Sequence, residues 1–90
     1  MVFDFDPTQI RDLELFAQSK EVFEEAMNMA GQMVIKMTDE EAVEKLNSMM
    51  EKASEEKEWE GYEKIACAKL IIETSLRNET MRTNMDTTLP

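Results

Sequence analysis

The stretch from Val22 to Met37 is apolar on nearly every side when its residues are placed at helical spacing. A narrow polar stripe interrupts it, formed by side chains three or four residues apart: Glu21, Glu25, Asn28, Gln32 and Lys36. A helix of this kind needs cover on several faces, and a chain of 90 residues has little material to provide it. The pattern therefore predicts a helix at the centre of a bundle that takes part of its cover from a second copy of the chain.

The start of the first helix is specified by Asp6, Pro7 and Gln9. Asp6 suits the N-cap, Pro7 suits the first helical position, and Gln9 completes a capping box. From there, apolar residues recur at alternating spacings of three and four, with Lys20 as the one polar intruder. They are Leu13, Phe16, Phe23, Met27, Ala30, Val34 and Met37. This spacing predicts one continuous helix over residues 7–37 with a coiled-coil-like seam.

A second helix start follows directly after the first helix. Thr38 and Glu41 make another capping box, and two further acidic residues between them favour the positive end of the helix dipole. We expect this helix to cover residues 39–53. Because the connection is so short, the two helices are predicted to be antiparallel neighbours.

The charged segment that comes next leaves two arrangements open. A break at Ser54, which suits an N-cap, gives a third helix over residues 55–78. Without a break, one long helix pairs with the first as an extended hairpin, and Gly61 offers a second place for an interruption. The apolar stripe shifts between Met50 and Trp59, which favours three helices.

The predicted fold class is all-α. With two glycines and two prolines, and without strand-type runs, the composition fits a small antiparallel helical bundle completed by dimerisation. Residues 1–78 are predicted to form one helical domain. Residues 79–90 show no periodicity and are predicted to be a flexible C-terminal tail.

The compartment is predicted from cysteine use and from the absence of apolar signals. Cys67 is the one cysteine, so the chain cannot form an internal disulfide, which fits a reducing environment. No signal sequence opens the chain, and no apolar stretch reaches the length needed to span a bilayer. We therefore expect a cytoplasmic protein in which Cys67 acts as a small buried hydrophobe.

Residues that usually catalyse reactions or bind metal ions are scarce. Histidine is absent, which removes the commonest general base and the commonest transition-metal ligand, and Cys67 has no histidine to activate it. No Gly-rich phosphate loop occurs. These absences predict a protein that is not an enzyme and holds no cofactor or metal ion. A row of thioethers offers soft ligands to Cu(I), but packing explains it better: Met29, Met33 and Met37.

The negative charge of −10 is concentrated in the middle of the chain, where residues 38–60 carry nine acidic and three basic side chains. On a continuous helix, one face collects the carboxylates of Glu40, Glu44, Glu51, Glu55 and Glu58. Carboxylates placed evenly along a rod imitate a nucleic-acid backbone and attract a basic groove. Lys45, Lys52 and Lys57 favour a blander interpretation, a solvated face neutralised by pairs four residues apart.

The charge pattern gives the first hypothesis about function. It is a non-catalytic acidic helical module that binds a basic, nucleic-acid-handling protein, most concretely as a small inhibitor that imitates nucleic acid. Small acidic helical proteins without motifs are typical of virus-encoded antagonists of host defence, an analogy of composition. Direct binding to nucleic acid or to an anionic membrane is not expected, because like charges repel.

The apolar residues on nearly every side of the first helix give the alternative hypothesis, a homo-oligomeric adaptor or structural protein that acts through a Met-rich surface. The predicted dimer interface consists of Met27, Met29, Gly31, Met33, Val34, Ile35 and Met37. Gly31, next to Ala30, is expected to permit the close approach of another helix rather than to end its own. The two hypotheses are compatible, because a homodimer can also present an acidic face.

Overall fold

The computed structural model describes residues 3 and 5–88, and for residues 82–88 the backbone alone. Four helices follow one another along the chain: α1 (Pro7–Ala17), α2 (Lys20–Lys36), α3 (Asp39–Glu55) and α4 (Trp59–Thr88). No strand occurs among these residues, so the predicted all-α class is confirmed. Three helices or a long hairpin were expected, and four helices are found. Completion of the bundle by dimerisation stays a prediction.

Two helix starts are the ones that the sequence specifies. At α1, the Gln9 backbone N–H donates to the Asp6 carboxylate at 2.8 Å, and the Gln9 side chain accepts from the Asp6 N–H at 3.1 Å. At α3, the Glu41 N–H donates to Thr38 Oγ1 at 3.2 Å, and the Glu41 carboxylate accepts from the Thr38 N–H at 3.4 Å. Both predicted capping boxes are confirmed.

The continuous helix predicted over residues 7–37 is wrong, because the chain breaks between α1 and α2. Gln18 adopts the left-handed conformation at φ 65°, and its N–H donates to the Glu14 carbonyl at 3.1 Å, which closes α1. Ser19 then caps α2, with its hydroxyl accepting from the Val22 N–H at 3.1 Å. Lys20 is the first residue of α2. The one polar residue in the predicted apolar seam is thus the residue at which a new helix begins.

The connection between α3 and α4 confirms a break in the charged segment and moves it beyond Ser54. Ser54 lies in the last turn of α3. Lys57 adopts φ 58°, its N–H donates to the Ser54 carbonyl at 3.1 Å, and the Glu58 N–H donates to the Ala53 carbonyl at 2.8 Å. These two bonds form a Schellman motif with lysine at the position that glycine usually takes. The uninterrupted helix is therefore excluded.

The last helix is longer than the sequence predicts. α4 begins at Trp59 rather than at residue 55, and its backbone stays helical through Thr88, whereas a flexible tail was predicted from residue 79. Residues 89 and 90 of that tail lie outside the described residues. Once a helix is nucleated, each added residue gains a hydrogen bond at little cost, so a helix continues past its last apolar contact.

α4 lies at the centre of the fold, where it contacts all three other helices and most extensively α3 and α2. Its 30 residues span about 45 Å at the helical rise, which accounts for most of the longest dimension of 52 Å. It supplies most of the largest fully buried side chains, which are Ile71, Ile72 and Cys67, joined by Leu46 of α3. The expectation that residues 22–37 form the centre is wrong, because α2 is covered fully only at Ala26 and Ala30.

α1 is attached to α4 by a pair of side-chain amides. Gln9 Nε2 donates to Asn78 Oδ1 at 3.2 Å, and Asn78 Nδ2 donates to Gln9 Oε1 at 2.7 Å. Leu13 and Ala17 are the buried residues of α1. Phe3, which is buried, stacks on Phe5 ahead of the helix with ring centroids 5.9 Å apart. The N-terminal segment thus adds its own apolar contacts to the core.

Candidate functional site

The acidic row predicted from the sequence lies mainly on α3, and every member is exposed to solvent. Glu40, Glu44, Glu51 and Glu55 follow one another at spacings of four, seven and four residues, so they share one side of the helix over about 22 Å. Glu58 lies in the connection after α3, beyond the left-handed Lys57. The straight part of the row therefore ends at Glu55.

The described lysines near this row are not paired with its carboxylates. Within the described part of the chain, Lys45, Lys52 and Lys57 form no ion pair with the row, and the one ion pair found joins Lys64 of α4 to Glu25 of α2. The Glu25 carboxylate accepts a hydrogen bond from the ammonium group and, with its charge, raises the pKa of Lys64. No sequence pattern connects these two residues, because they lie on different helices.

An aromatic pair stands at the end of the acidic row. Trp59 and Tyr62 meet edge to face with ring centroids 5.9 Å apart, and more than half of the Trp59 surface is exposed. Tyr62 also lines an open depression of about 690 Å³ that Met50, Glu51 and Glu55 border. The spacing of three residues predicts a contact between the two rings, but nothing in the sequence predicts that Tyr62 lies beside the acidic row.

A second surface is a groove between α2 and α3, which we call the methionine groove. Both helices pack on α4 but contact each other at few positions, so a cleft of about 470 Å³ stays open between them. Its apolar lining consists of half-buried methionines: Met29, Met33, Met37 and Met49. Its polar lining consists of Glu25, Asn28, Gln32, Lys36, Lys45 and Lys64.

The structure places the residues of the predicted dimer interface in different environments, some against the core and one exposed to solvent. The half-buried residues that pack against the core of the same chain are Met27, Met29, Met33, Val34 and Met37. Ile35 points away from the core and is 76% exposed. Gly31 does not end α2, but a Cβ atom placed there would meet nothing within 4 Å, so the expected close helix approach does not occur within the described chain.

The lone cysteine lies in the core. Cys67 is fully buried on α4, as the sequence predicts, and burial raises the pKa of its thiol to about 11. A thiol in this environment is protonated at neutral pH and is inert as a nucleophile. Among the described residues, no group of three Cys, Asp or Glu side chains is placed to hold a metal ion, and no helix is long and apolar enough to cross a membrane.

Comparison with known proteins adds no assignment: no protein-family model, no curated protein sequence and no solved structure matches this chain. The two surfaces, the acidic row and the methionine groove, are therefore interpreted from their own chemistry.

Proposed function

We propose that this chain is a protein-interaction module that binds a basic partner through the acidic row on α3. The observation that carries the proposal is the exposed line of Glu40, Glu44, Glu51 and Glu55, which has no lysine paired to it within the described residues. Unpaired carboxylates on one side of a helix create a directional negative field. Such a field speeds association with a basic surface and selects against acidic ones.

The most concrete form of this function is inhibition of a nucleic-acid-handling protein, in the manner of small virus-encoded inhibitors of host defence. A surface that binds nucleic acid carries lysine and arginine side chains along a groove, and it binds mainly through charge. The rigid α3 row of about 22 Å offers such a groove carboxylates instead of phosphates. The same charge keeps the chain itself away from nucleic acid, since its net charge is −10.

The test compares two variants of equal net charge. The row variant carries Glu44→Gln, Glu51→Gln and Glu55→Gln, and the matched control carries substitutions to Gln at three other exposed carboxylates: Glu21, Glu24 and Glu63. Each removes three charges from the −10 of the wild type. Each is used to capture partners from host extract, and the affinity of any basic partner is measured at about 0.1 M and about 1 M salt.

The proposal predicts that the row variant binds the partner at least about tenfold more weakly than wild type, whereas the control stays within about threefold. The wild type should also displace labelled duplex DNA from the captured protein, and high salt should abolish both effects. Equal binding by the row variant and the control, or a partner whose affinity does not respond to salt, contradicts the proposal.

The alternative function, a homo-oligomeric adaptor, is supported by a different observation. Ile35 exposes most of its side chain on α2, and Met29 and Met33 line a groove that the chain leaves open. Large exposed apolar side chains and open apolar grooves are both typical of interaction surfaces. Changing Met29, Met33 and Ile35 to Glu should then abolish assembly, and a variant that stays assembled would exclude this function.

A further inference from the structure

The open depression beside Tyr62 differs in the charge of its lining from three other depressions of the described chain. Those that contain Met33, Ser48 and Leu15 are each bordered by lysine or arginine side chains. Among the described residues, no lysine or arginine borders the Tyr62 depression, but two carboxylates do. Its lining consists of Asn47, Met50, Glu51, Ser54, Glu55 and Tyr62. The lining of this depression is therefore negative and carries no cation to offset the charge.

The lysines of the two adjoining helices lie away from this depression. At about 100° per residue, Lys45 and Lys52 stand about 100–120° around α3 from Glu51, on the side of the helix away from the depression. Lys69 lies on the same side of α4 as Tyr62, but it is seven residues and about 10 Å further along the helix and does not border the depression. In the described chain none of these lysines forms an ion pair with the acidic row.

Two aromatic rings add a second kind of chemistry to the same place. Tyr62 is fixed in the first turn of α4, where its N–H donates to the Glu58 carbonyl at 2.9 Å, and its half-buried ring borders the depression. Trp59, three residues earlier, meets Tyr62 edge to face and is 55% exposed. An edge-to-face contact leaves ring faces uncovered by the other ring, and the face of an aromatic ring attracts a cation. Carboxylates and an aromatic ring around one depression suit a ligand that is both cationic and flat.

We propose that the Tyr62 depression binds an arginine side chain of the basic partner. The guanidinium group is planar, so it would lie against the Tyr62 ring while its N–H groups donate to the carboxylates of Glu51 and Glu55. A lysine ammonium has the charge but neither the flat face nor the paired donors. The aliphatic part of the arginine would lie on Met50, whose flexible thioether side chain adapts to its shape. Tryptophan, tyrosine and arginine are also the residues in which the binding energy of interfaces most often concentrates.

This inference rests on the proposed function, because Glu51 and Glu55 belong to the acidic row, and it makes that function more specific. If charge acted evenly along the row, Glu40 and Glu44 would matter as much as Glu51 and Glu55, since each pair is spaced four residues apart on the same helix. An arginine site beside Tyr62 makes the second pair dominate. The two pairs therefore separate the arginine site from the row as a whole.

The first experiment adds a capped glycine–arginine pentapeptide with two arginines to the full chain and follows binding by nuclear magnetic resonance. Trp59 is the one tryptophan of the chain, so its indole N–H gives a single signal three residues from Tyr62. The peptide should shift this signal saturably at about 0.05 M salt, and about 1 M salt should abolish the shift. The matching lysine peptide should bind at least about threefold more weakly, and the uncharged citrulline peptide should not bind.

The second experiment measures the affinity of the arginine peptide for variants of the chain. Glu51→Gln with Glu55→Gln should weaken binding at least about fivefold, whereas the matched control, Glu40→Gln with Glu44→Gln, removes the same charge and should stay within about twofold. Tyr62→Leu should weaken binding at least about threefold, and Tyr62→Phe, which keeps the ring, should stay within about twofold of wild type. Circular dichroism checks the fold of each variant. Because all four glutamates are exposed, their comparison tests the proposal even if Tyr62→Leu unfolds the chain.

Three results would overturn the proposal. Equal loss of binding in the two glutamate pairs means that charge acts along the whole row, which excludes the arginine site and leaves the proposed function standing. Equal binding of the lysine and arginine peptides, or full affinity in a folded Tyr62→Leu variant, excludes a guanidinium stacked on the ring. An arginine peptide that shifts no signal excludes the site as well. Conversely, a captured partner that ignores the row while the peptide binds as expected contradicts the proposed function alone.

Discussion

α2 and α4 pack against each other, yet they use their apolar residues differently. α2 is apolar on nearly every side, but only Ala26 and Ala30 are buried completely, and its methionines and Ile35 remain half-open or exposed. α4 buries large and small side chains alike, from Ile71 and Ile72 to Cys67 and Ala68. The difference follows from position, because α4 packs extensively against both α3 and α2, whereas α2 contacts α3 at few positions and has an open groove at that side.

The comparison separates hydrophobicity from burial. On α2 the small side chains of Ala26 and Ala30 are fully buried, and the longer methionine side chains stay half-buried. A helix surrounded by neighbours needs no exceptional apolar content to form a core. A helix with apolar residues on several sides and loose packing at one of them keeps surface available for a partner.

The largest expected effect concerns the cost of removing side chains from the two helices. Ile71→Ala on α4 should lower the free energy of unfolding by about 3–4 kcal/mol, because it opens a cavity in a fully buried site. Met27→Ala on α2 should cost about 1 kcal/mol, because that side chain is half-buried. Urea unfolding followed by circular dichroism measures both values. Equal costs would show that α2 is as enclosed in solution as α4.

The second effect tests how well α4 is sealed. Burial raises the pKa of Cys67 from 9.0 to about 11, so between these pH values the unfolded chain has released the thiol proton and the folded chain still holds it. Raising the pH across this window should therefore cost about 2–3 kcal/mol of stability. Urea unfolding at several pH values should show this loss in wild type and not in Cys67→Ala. If the free energy of unfolding changed with pH equally in the two proteins, water would have to reach the Cys67 thiol in the folded chain.

The third effect tests where α2 begins. Ser19→Ala removes the hydroxyl that accepts from the Val22 N–H, and it should destabilise the chain by about 1 kcal/mol. In a continuous helix the same substitution would stabilise the chain, because alanine is the better helix former. The sign of the change in the urea midpoint therefore decides between the two arrangements. Thr38→Ala, at the confirmed cap of α3, is the matched positive control.

The smallest effect concerns the entry to α4. Lys57 adopts a left-handed conformation that glycine takes at lower cost than lysine, so Lys57→Gly should stabilise the chain by about 0.5–1 kcal/mol. If α3 and α4 were one helix, glycine at this position would instead cost about 1 kcal/mol. Thermal unfolding with a matched Lys52→Gly variant, placed inside α3, should show changes of opposite sign.

The parts of the fold that the sequence predicts are the ones encoded by neighbouring residues. The capping boxes of Asp6 with Gln9 and of Thr38 with Glu41 span three positions each, and both are found. The breaks at Gln18 and Lys57 were missed or misplaced because both residues are left-handed without being glycine. The side chain there gives no signal, and the backbone bonds around it hold the conformation.

Of the two candidate surfaces, the acidic row could be predicted from the sequence and the methionine groove could not. The exposed acidic row follows from helical spacing alone, and it ends early only because Glu58 lies beyond the break. The methionine groove depends on how α2 and α3 diverge over α4, which no local pattern encodes. Because the sequence does not show this groove, Lys36 and Lys45 read there as ordinary solvated charges.

The amide pair between Gln9 and Asn78 has a consequence for the order of folding. It joins residues 69 positions apart, whereas α3 and α4 are neighbours along the chain. The α3–α4 hairpin therefore closes a short loop, and α1 must close a long one before it gains its contacts with α4. We expect α1 to dock last and to open first. Native-state hydrogen exchange should thus release the amides of residues 10–17 well before those of residues 65–72.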